Sequence, residues 1–189
     1  MITISRDGAW VYVVTADHLG SELVAIDTRD DRVAGRSAFA APIRSIAVSA
    51  DGATVYVAGD GAEMGSHVDV VDARTHRVVG TLAVDGSVRQ LLPSLEGDCV
   101  YVVNGMQIAV VCTVTREIVD TVFMLAEPAS IDESRDGKRI FVADYDGWVT
   151  AYSVEPTTEH AASAHREWAR TSVRDLPAGH PKALETMVR

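Results

Sequence analysis

The sequence predicts an all-β protein made of four copies of one four-stranded unit, the last copy incomplete, with a short C-terminal tail that is α-helical or irregular. Three observations carry this. First, the tetrapeptide Ser5-Arg6-Asp7-Gly8 returns as Ser49-Ala50-Asp51-Gly52, Ser94-Leu95-Glu96-Gly97 and Ser134-Arg135-Asp136-Gly137, a spacing of 40–45 residues. Second, an aromatic-led apolar run follows each copy: Tyr12-Val13-Val14-Thr15, Tyr56-Val57-Ala58-Gly59, Tyr101-Val102-Val103-Asn104 and Phe141-Val142-Ala143-Asp144. Third, the remaining apolar runs are β-branched-rich, about five to eight residues long, and bounded by Gly, Asp, Pro and Asn, which suits strands.

Each unit reads as four strands in order. The first precedes the tetrapeptide: residues 1–5, then Ile43 to Val48, Val88 to Leu92 and Ala129 to Ile131. Asp-Gly at 7–8, 51–52 and 136–137 supplies the positive backbone angles of a tight turn into the second, aromatic-led strand. The third ends at Asp27, Asp72, Cys112 and Ser153, and the two aspartates open Asx-type turns. The fourth runs Arg32 to Ala40, Arg77 to Val84 and Glu117 to Leu125. Four strands in so short a stretch match one β-propeller blade. Residues 1–154 form the blade region, whose last blade lacks its outer strand, and 155–189 form the tail. Behind a cap at Thr158, the residues Ala161, Ala164, His165, Trp168, Ser172 and Leu176 recur at helical spacing. Alternatively, Arg170 to Leu176 supply the missing outer strand.

The units resemble the YVTN β-propeller repeat, known by an S-x-D-G turn, a Tyr-Val-Thr-Asn-like strand and a V-x-V-I-D-T strand end. Tyr12-Val13-Val14-Thr15 and Tyr101-Val102-Val103-Asn104 stand nearest the first strand signature, and Val24-Ala25-Ile26-Asp27-Thr28 matches the strand end. Glu96 in place of the turn Asp, and Cys112 and Ser153 in place of the strand-end Asp, are departures. The resemblance covers about residues 1–154. It implies a propeller fold, typically of seven blades, and no shared catalytic residues.

Composition narrows the function classes. The tail carries five acidic and five basic side chains, so the formal charge of −10 sits on the blades. Such a surface repels polyanions, and no nucleic-acid partner is expected. No run approaches the length of a membrane span. The N-terminus lacks an export signal, so the chain reads as cytoplasmic as written, and as exported if it belongs to a longer protein. Cys99 and Cys112 flank a hairpin near Asn104-Gly105 and share a face, directly opposite or diagonal, as buried thiols or as a cross-strand disulfide. Four blades leave apolar end faces. Upstream blades of a longer chain, a second copy forming a homodimeric ring, or compact four-blade closure each cover them.

Propeller ligands sit at the channel mouth, on the face bearing the second-to-third-strand loops and the connections between blades. Asp17, His18, Glu22, Asp60, Glu63, Met64, His67, Asp144 and Asp146 gather there. Arg44 and Arg89 occupy equivalent repeat positions near the start of inner strands, where two guanidinium groups clamp a carboxylate or phosphate or else pair with acidic neighbours. The ligand-binding candidates are therefore Arg44, Arg89, His18, Asp60 and His67. The histidines and Asp60 lack metal-ligand spacing, no catalytic motif is present, and neither metal nor cofactor is expected. The sequence thus points to a non-enzymatic module binding a protein or small ligand at its loop face. A metal-dependent, lactonase-like hydrolase and a structural assembly repeat are the alternatives.

Overall fold

The computed structural model describes residues 1–17, 20–61, 65–156 and 166–173. They form four antiparallel sheets, each a simple meander of four strands. Blade 1 holds β1 (Ile2–Ile4), β2 (Trp10–Asp17), β3 (Gly20–Asp27) and β4 (Arg32–Phe39). Blade 2 holds β5 (Ile43–Val48), β6 (Thr54–Gly61), β7 (Gly65–Asp72) and β8 (Arg77–Ala83). Blade 3 holds β9 (Val88–Pro93), β10 (Cys99–Asn104), β11 (Gln107–Cys112) and β12 (Ile118–Phe123). Blade 4 holds β13 (Pro128–Glu133), β14 (Arg139–Asp144), β15 (Val149–Pro156) and β16 (Arg166–Val173).

Blade 4 corrects the expectation of an incomplete last sheet. Strand β16 pairs along the whole of β15, from Val149↔Val173 to Pro156↔Arg166. It lies where helical spacing was read through Trp168 and Ser172, and it starts four residues before the alternative strand. An open edge on β15 presents a row of unpaired backbone groups, and pairing them outweighs a weak local preference for helix. The boundary drawn at residue 154 therefore falls inside β15. The helix cap at Thr158 lies outside the described residues. No helix among the described residues is long and apolar enough to cross a membrane.

The recurring tetrapeptide makes a hydrogen-bonded turn. Ser5 Oγ donates to Asp7 Oδ1 at 2.6 Å and accepts from the Trp10 amide at 2.9 Å. Ser49 with Asp51, and Ser134 with Asp136, repeat the first bond at 2.6 Å. In the third unit Glu96 replaces the aspartate, and Ser94 Oγ instead donates to Asp98 Oδ1 at 2.7 Å. The turn survives because a carboxylate two residues further on reaches the same hydroxyl.

Blades pack face to face through three apolar cores. Tyr12, Leu23 and Ala25 of blade 1 meet Val55, Val57 and Val71 of blade 2. Tyr56, Ala58 and Val68 then meet Val100, Val102 and Ala109 of blade 3. Tyr101, Val103 and Ile108 meet Ile131, Ile140 and Val142 of blade 4. The inner strands follow the same order, β1 against β5, β5 against β9 and β9 against β13. Cys99 and Cys112 are directly opposed in the register of β10 and β11, and no disulfide joins them.

Candidate binding face at the loop end

A shared irregularity aims the two arginines. In β5 the pairing with β6 passes from Ile43↔Gly59 to Ser45↔Ala58, so Arg44 is an extra, unpaired residue. In β9 the pairing with β10 passes from Val88↔Asn104 to Gln90↔Val103, which leaves Arg89 in the same position. Blade 4 repeats the bulge at Ala129. A bulge releases one residue from the ladder and turns its side chain out of the sheet. Arg44 and Arg89 are accordingly exposed at the loop end of the inner strands.

Each arginine has an acidic partner in its own neighbourhood. Arg44 Nε donates to Asp60 Oδ2 at 3.0 Å, and both Nη groups have no protein partner among the described residues. Asp60 also accepts Ser66 Oγ at 2.7 Å and Ser87 Oγ at 3.0 Å. Burial pushes the Asp60 carboxyl up, but the donors from Ser66, Ser87 and Arg44 together hold it below its ordinary value. Arg89 Nη2 is bonded to Glu127 Oε1, Arg89 Nη1 donates to the Tyr145 hydroxyl at 3.2 Å, and the guanidinium carbon lies 5.6 Å from the Tyr145 ring centroid. The two arginines thus belong to separate clusters, one on blade 2 and one bridging blades 3 and 4.

His67 joins the Asp60 cluster only indirectly. It faces Gly59 across the β6–β7 ladder, one pair from Asp60↔Ser66. Its Nε2 lies 3.5 Å from Asp69 Oδ2, and Asp69 also accepts Thr81 Oγ1. Gly59 makes room for the ring, since a Cβ there would stand 3.2 Å from His67 Nε2. His67 and Asp60 both line an open groove of about 720 Å³ between blades 1 and 2, together with Phe39, Ile43, Asp69 and Thr81. His67 is buried, however, so its ring is held by the groove wall. His18, Glu63 and Met64 lie outside the described residues. Among the described residues, no group of three or more His, Cys, Asp and Glu side chains is placed to hold a metal ion.

The sequence reading overlooked an apolar surface at the same end of blades 3 and 4. Phe123 and Leu125 are 77% and 78% exposed, Tyr145 is 64% exposed, and Met106 and Trp148 are also uncovered. Met106 sits in the β10–β11 turn, where its carbonyl accepts the Met124 amide at 2.8 Å. Tyr145 sits in the β14–β15 turn, where its amide donates to the Glu127 carbonyl at 3.1 Å. These bonds tie the two turns to the connection between blades 3 and 4, with Arg89 beside it. A signal was present in the sequence: large apolar residues in segments that turn chemistry otherwise fills with polar ones.

No protein-family model matches the chain, and no curated protein is found similar to it. Solved structures do resemble it. A chain of the hydrazine synthase of Kuenenia stuttgartiensis superposes with a TM-score of 0.67 at 18% identity, over 92% of this chain and 62% of that one. The β-propeller domain of Cps50 (Swd1) from Myceliophteria thermophila superposes with a TM-score of 0.56 at 11% identity, over 92% of this chain and 70% of that domain. The chain thus spans less than two thirds of the hydrazine synthase chain that it resembles. At these identities the likeness concerns architecture alone, and the architecture is that of a β-propeller.

Proposed function

We propose that this chain is a non-catalytic binding module whose docking face is the loop end of blades 3 and 4. One observation carries the reading: Arg89, turned out by a bulge and braced by Glu127 and Tyr145, shares the loop end of blades 3 and 4 with the exposed side chains of Phe123, Leu125 and Met106. Aromatic residues, Met and Arg are the side chains enriched where proteins dock, because they bury large areas at small entropic cost. An isolated exposed apolar residue needs no explanation, but several of them at one end of two adjacent blades do. A rigid sheet scaffold carrying its variable groups on loops suits this role.

A displayed library of random peptides, selected on the full chain, tests this directly. Binders should be enriched and should lose most of their affinity for the Arg89→Ala/Leu125→Ser variant, since central anchors cost about 2 kcal/mol or more when truncated. Identical enrichment on the wild-type and variant proteins would remove this face from consideration.

A further inference from the structure

Two residues of blade 3 depart together from the repeat. At one cross-strand position the second and third strands pair Trp10 with Asp27 in blade 1, Thr54 with Asp72 in blade 2 and Arg139 with Ser153 in blade 4. In blade 3 that pair is Cys99 and Cys112. It lies at the far end of the β10–β11 hairpin from Asn104 and Gln107, and so away from the loop end.

The backbone fixes how close the two residues come. The Cys99 amide donates to Ser94 Oγ at 3.2 Å, and its carbonyl accepts the Ser94 amide at 2.9 Å. The Cys112 amide donates to the Glu117 carbonyl at 2.9 Å, and its carbonyl accepts the Arg116 amide at 2.9 Å. Each cysteine thus directs its backbone groups away from the other. The adjacent pair does bond across the hairpin, from the Thr113 amide to the Asp98 carbonyl at 3.0 Å. Cys99 and Cys112 are therefore a non-hydrogen-bonded antiparallel pair, the class whose Cα atoms stand closest, about 4.5 Å apart. Disulfide-linked residues have Cα atoms about 4.4–6.8 Å apart, so the strands already hold the spacing that the bond requires.

The turn after β11 supplies the chemistry. Cys112 stands where blade 2 has Asp72, whose carboxylate accepts the Thr75 amide at 2.7 Å and the Thr75 hydroxyl at 2.8 Å. Blade 3 repeats that turn, with Thr115 in place of Thr75 and a positive φ at Arg116 as at His76. Its donors, the Thr115 amide and hydroxyl and the Val114 amide, converge on Cys112 Sγ. A cradle that holds a carboxylate in one blade holds a sulfur in the next. Burial pushes the Cys112 thiol up, but these donors together bring it below its ordinary value and favour the thiolate, the form that attacks disulfides. Cys112 is also partly exposed, whereas Cys99, opposite it, is fully buried.

We infer that Cys99 and Cys112 form a reversible redox site, which closes to a cross-strand disulfide by exchange with a small-molecule disulfide, Cys112 reacting first and Cys99 second. Cys112 gives its proton to solvent, and its sulfur attacks one sulfur of the small molecule. That S–S bond breaks, and the departing thiolate takes up a proton. Cys99, losing its proton to solvent, then attacks Cys112 Sγ, the mixed disulfide breaks, and a second small thiol leaves. The protein gives up two electrons and two protons, and the small-molecule disulfide receives them as two thiols. The inference is independent of the docking face on blades 3 and 4.

Oxidised glutathione, added at millimolar concentration to the full chain at neutral pH, is the probe, and intact-mass spectrometry is the readout. The wild-type protein should lose about 2 Da, peptide mapping should link residue 99 to 112, and dithiothreitol should reverse the change. Cys99→Ala should stop at a glutathione adduct on Cys112, and Cys112→Ser should not react. In the Cys99→Ala background, Thr115→Val should slow adduct formation by about threefold and move its pH profile upward, and Thr115→Ser should restore both. A wild-type chain that keeps two thiols, keeps an unresolved adduct on Cys112, or links only to other copies would overturn the inference. So would a Cys112→Ser variant that reacts at Cys99, or a pH profile indifferent to Thr115→Val.

Discussion

Serine and aspartate side chains do much of the local work in this chain, and acid reveals it. Hydrogen bonds from Ser5, Ser49 and Ser134 hold Asp7, Asp51 and Asp136 below the usual carboxylate range, and the Arg29 side chain pulls Asp27 down to about 2. Each of these groups is depressed by folding. Its contribution is complete above the ordinary value of 3.8 and disappears as pH falls through the folded value. Melting temperature should therefore be flat above about pH 5 and fall steadily toward about pH 2. Ser49→Ala should cost about 1 kcal/mol at neutral pH, through the lost bond to the Thr54 amide, and should make the acid fall shallower. An acid limb of unchanged steepness would show that these turns do not govern it. The turns were legible in the sequence because every partner lies within five residues. Arg44 and Arg89 were legible only as a repeated position. Their ion pairs with Asp60 and Glu127 depend on where loops from other strands come to rest, which no local pattern encodes.

At the scale of the strand, the blades are clasped by turns whose role only the fold reveals. His76 and Arg116 occupy equivalent β3–β4-type turns of blades 2 and 3, with φ of 55° and 61°. Each reaches back to the preceding blade. A Cβ on Gly35 would lie 2.0 Å from His76 Cδ2, and one on Gly80 would lie 2.4 Å from Arg116 Nη1. Arg116 Nη1 also donates to the Val79 carbonyl at 2.8 Å, and Ser37 Oγ donates to the His76 carbonyl at 2.6 Å. Gly35 and Gly80 are thus space for a neighbour's side chain. Gly35→Ala should destabilise the protein by about 1–3 kcal/mol in urea unfolding. Adding His76→Gly should recover part of that loss, because it removes both the collision and a positive backbone angle on a non-glycine residue. If the double variant were no more stable than Gly35→Ala alone, the clasp would have no energetic role. The strands themselves were readable from alternation and β-branched content. Strand β16 was readable only as an alternative to a helix, at Arg170 to Leu176, since the edge of β15 that recruits it is a tertiary feature.

Across the whole molecule, stability resides between blades, since each core draws residues from two sheets. Ile108, fully buried in the core of blades 3 and 4, should cost about 2–5 kcal/mol when changed to Ala, measured by urea denaturation. A truncation at an exposed strand position of blade 1, such as Val33→Ala, should cost well under 1 kcal/mol. Blade count and radial order were visible in the repeat because each unit carries a complete set of turn and strand signals. The exposed apolar surface of blades 3 and 4 was not visible. Phe123, Leu125, Met106 and Tyr145 come from three separate connections, and only the radial arrangement brings those connections to one end.

The extra residue in β5, β9 and β13 separates two kinds of constraint. Every other position on those inner strands must satisfy a neighbour's backbone or fill a core, so few side chains are tolerated there. Arg44, Arg89 and Ala129 answer to neither demand, and Ala129 already differs from the two arginines in charge and size. Evolution can therefore rewrite the chemistry of the channel mouth, one blade at a time, while the load on the scaffold stays the same.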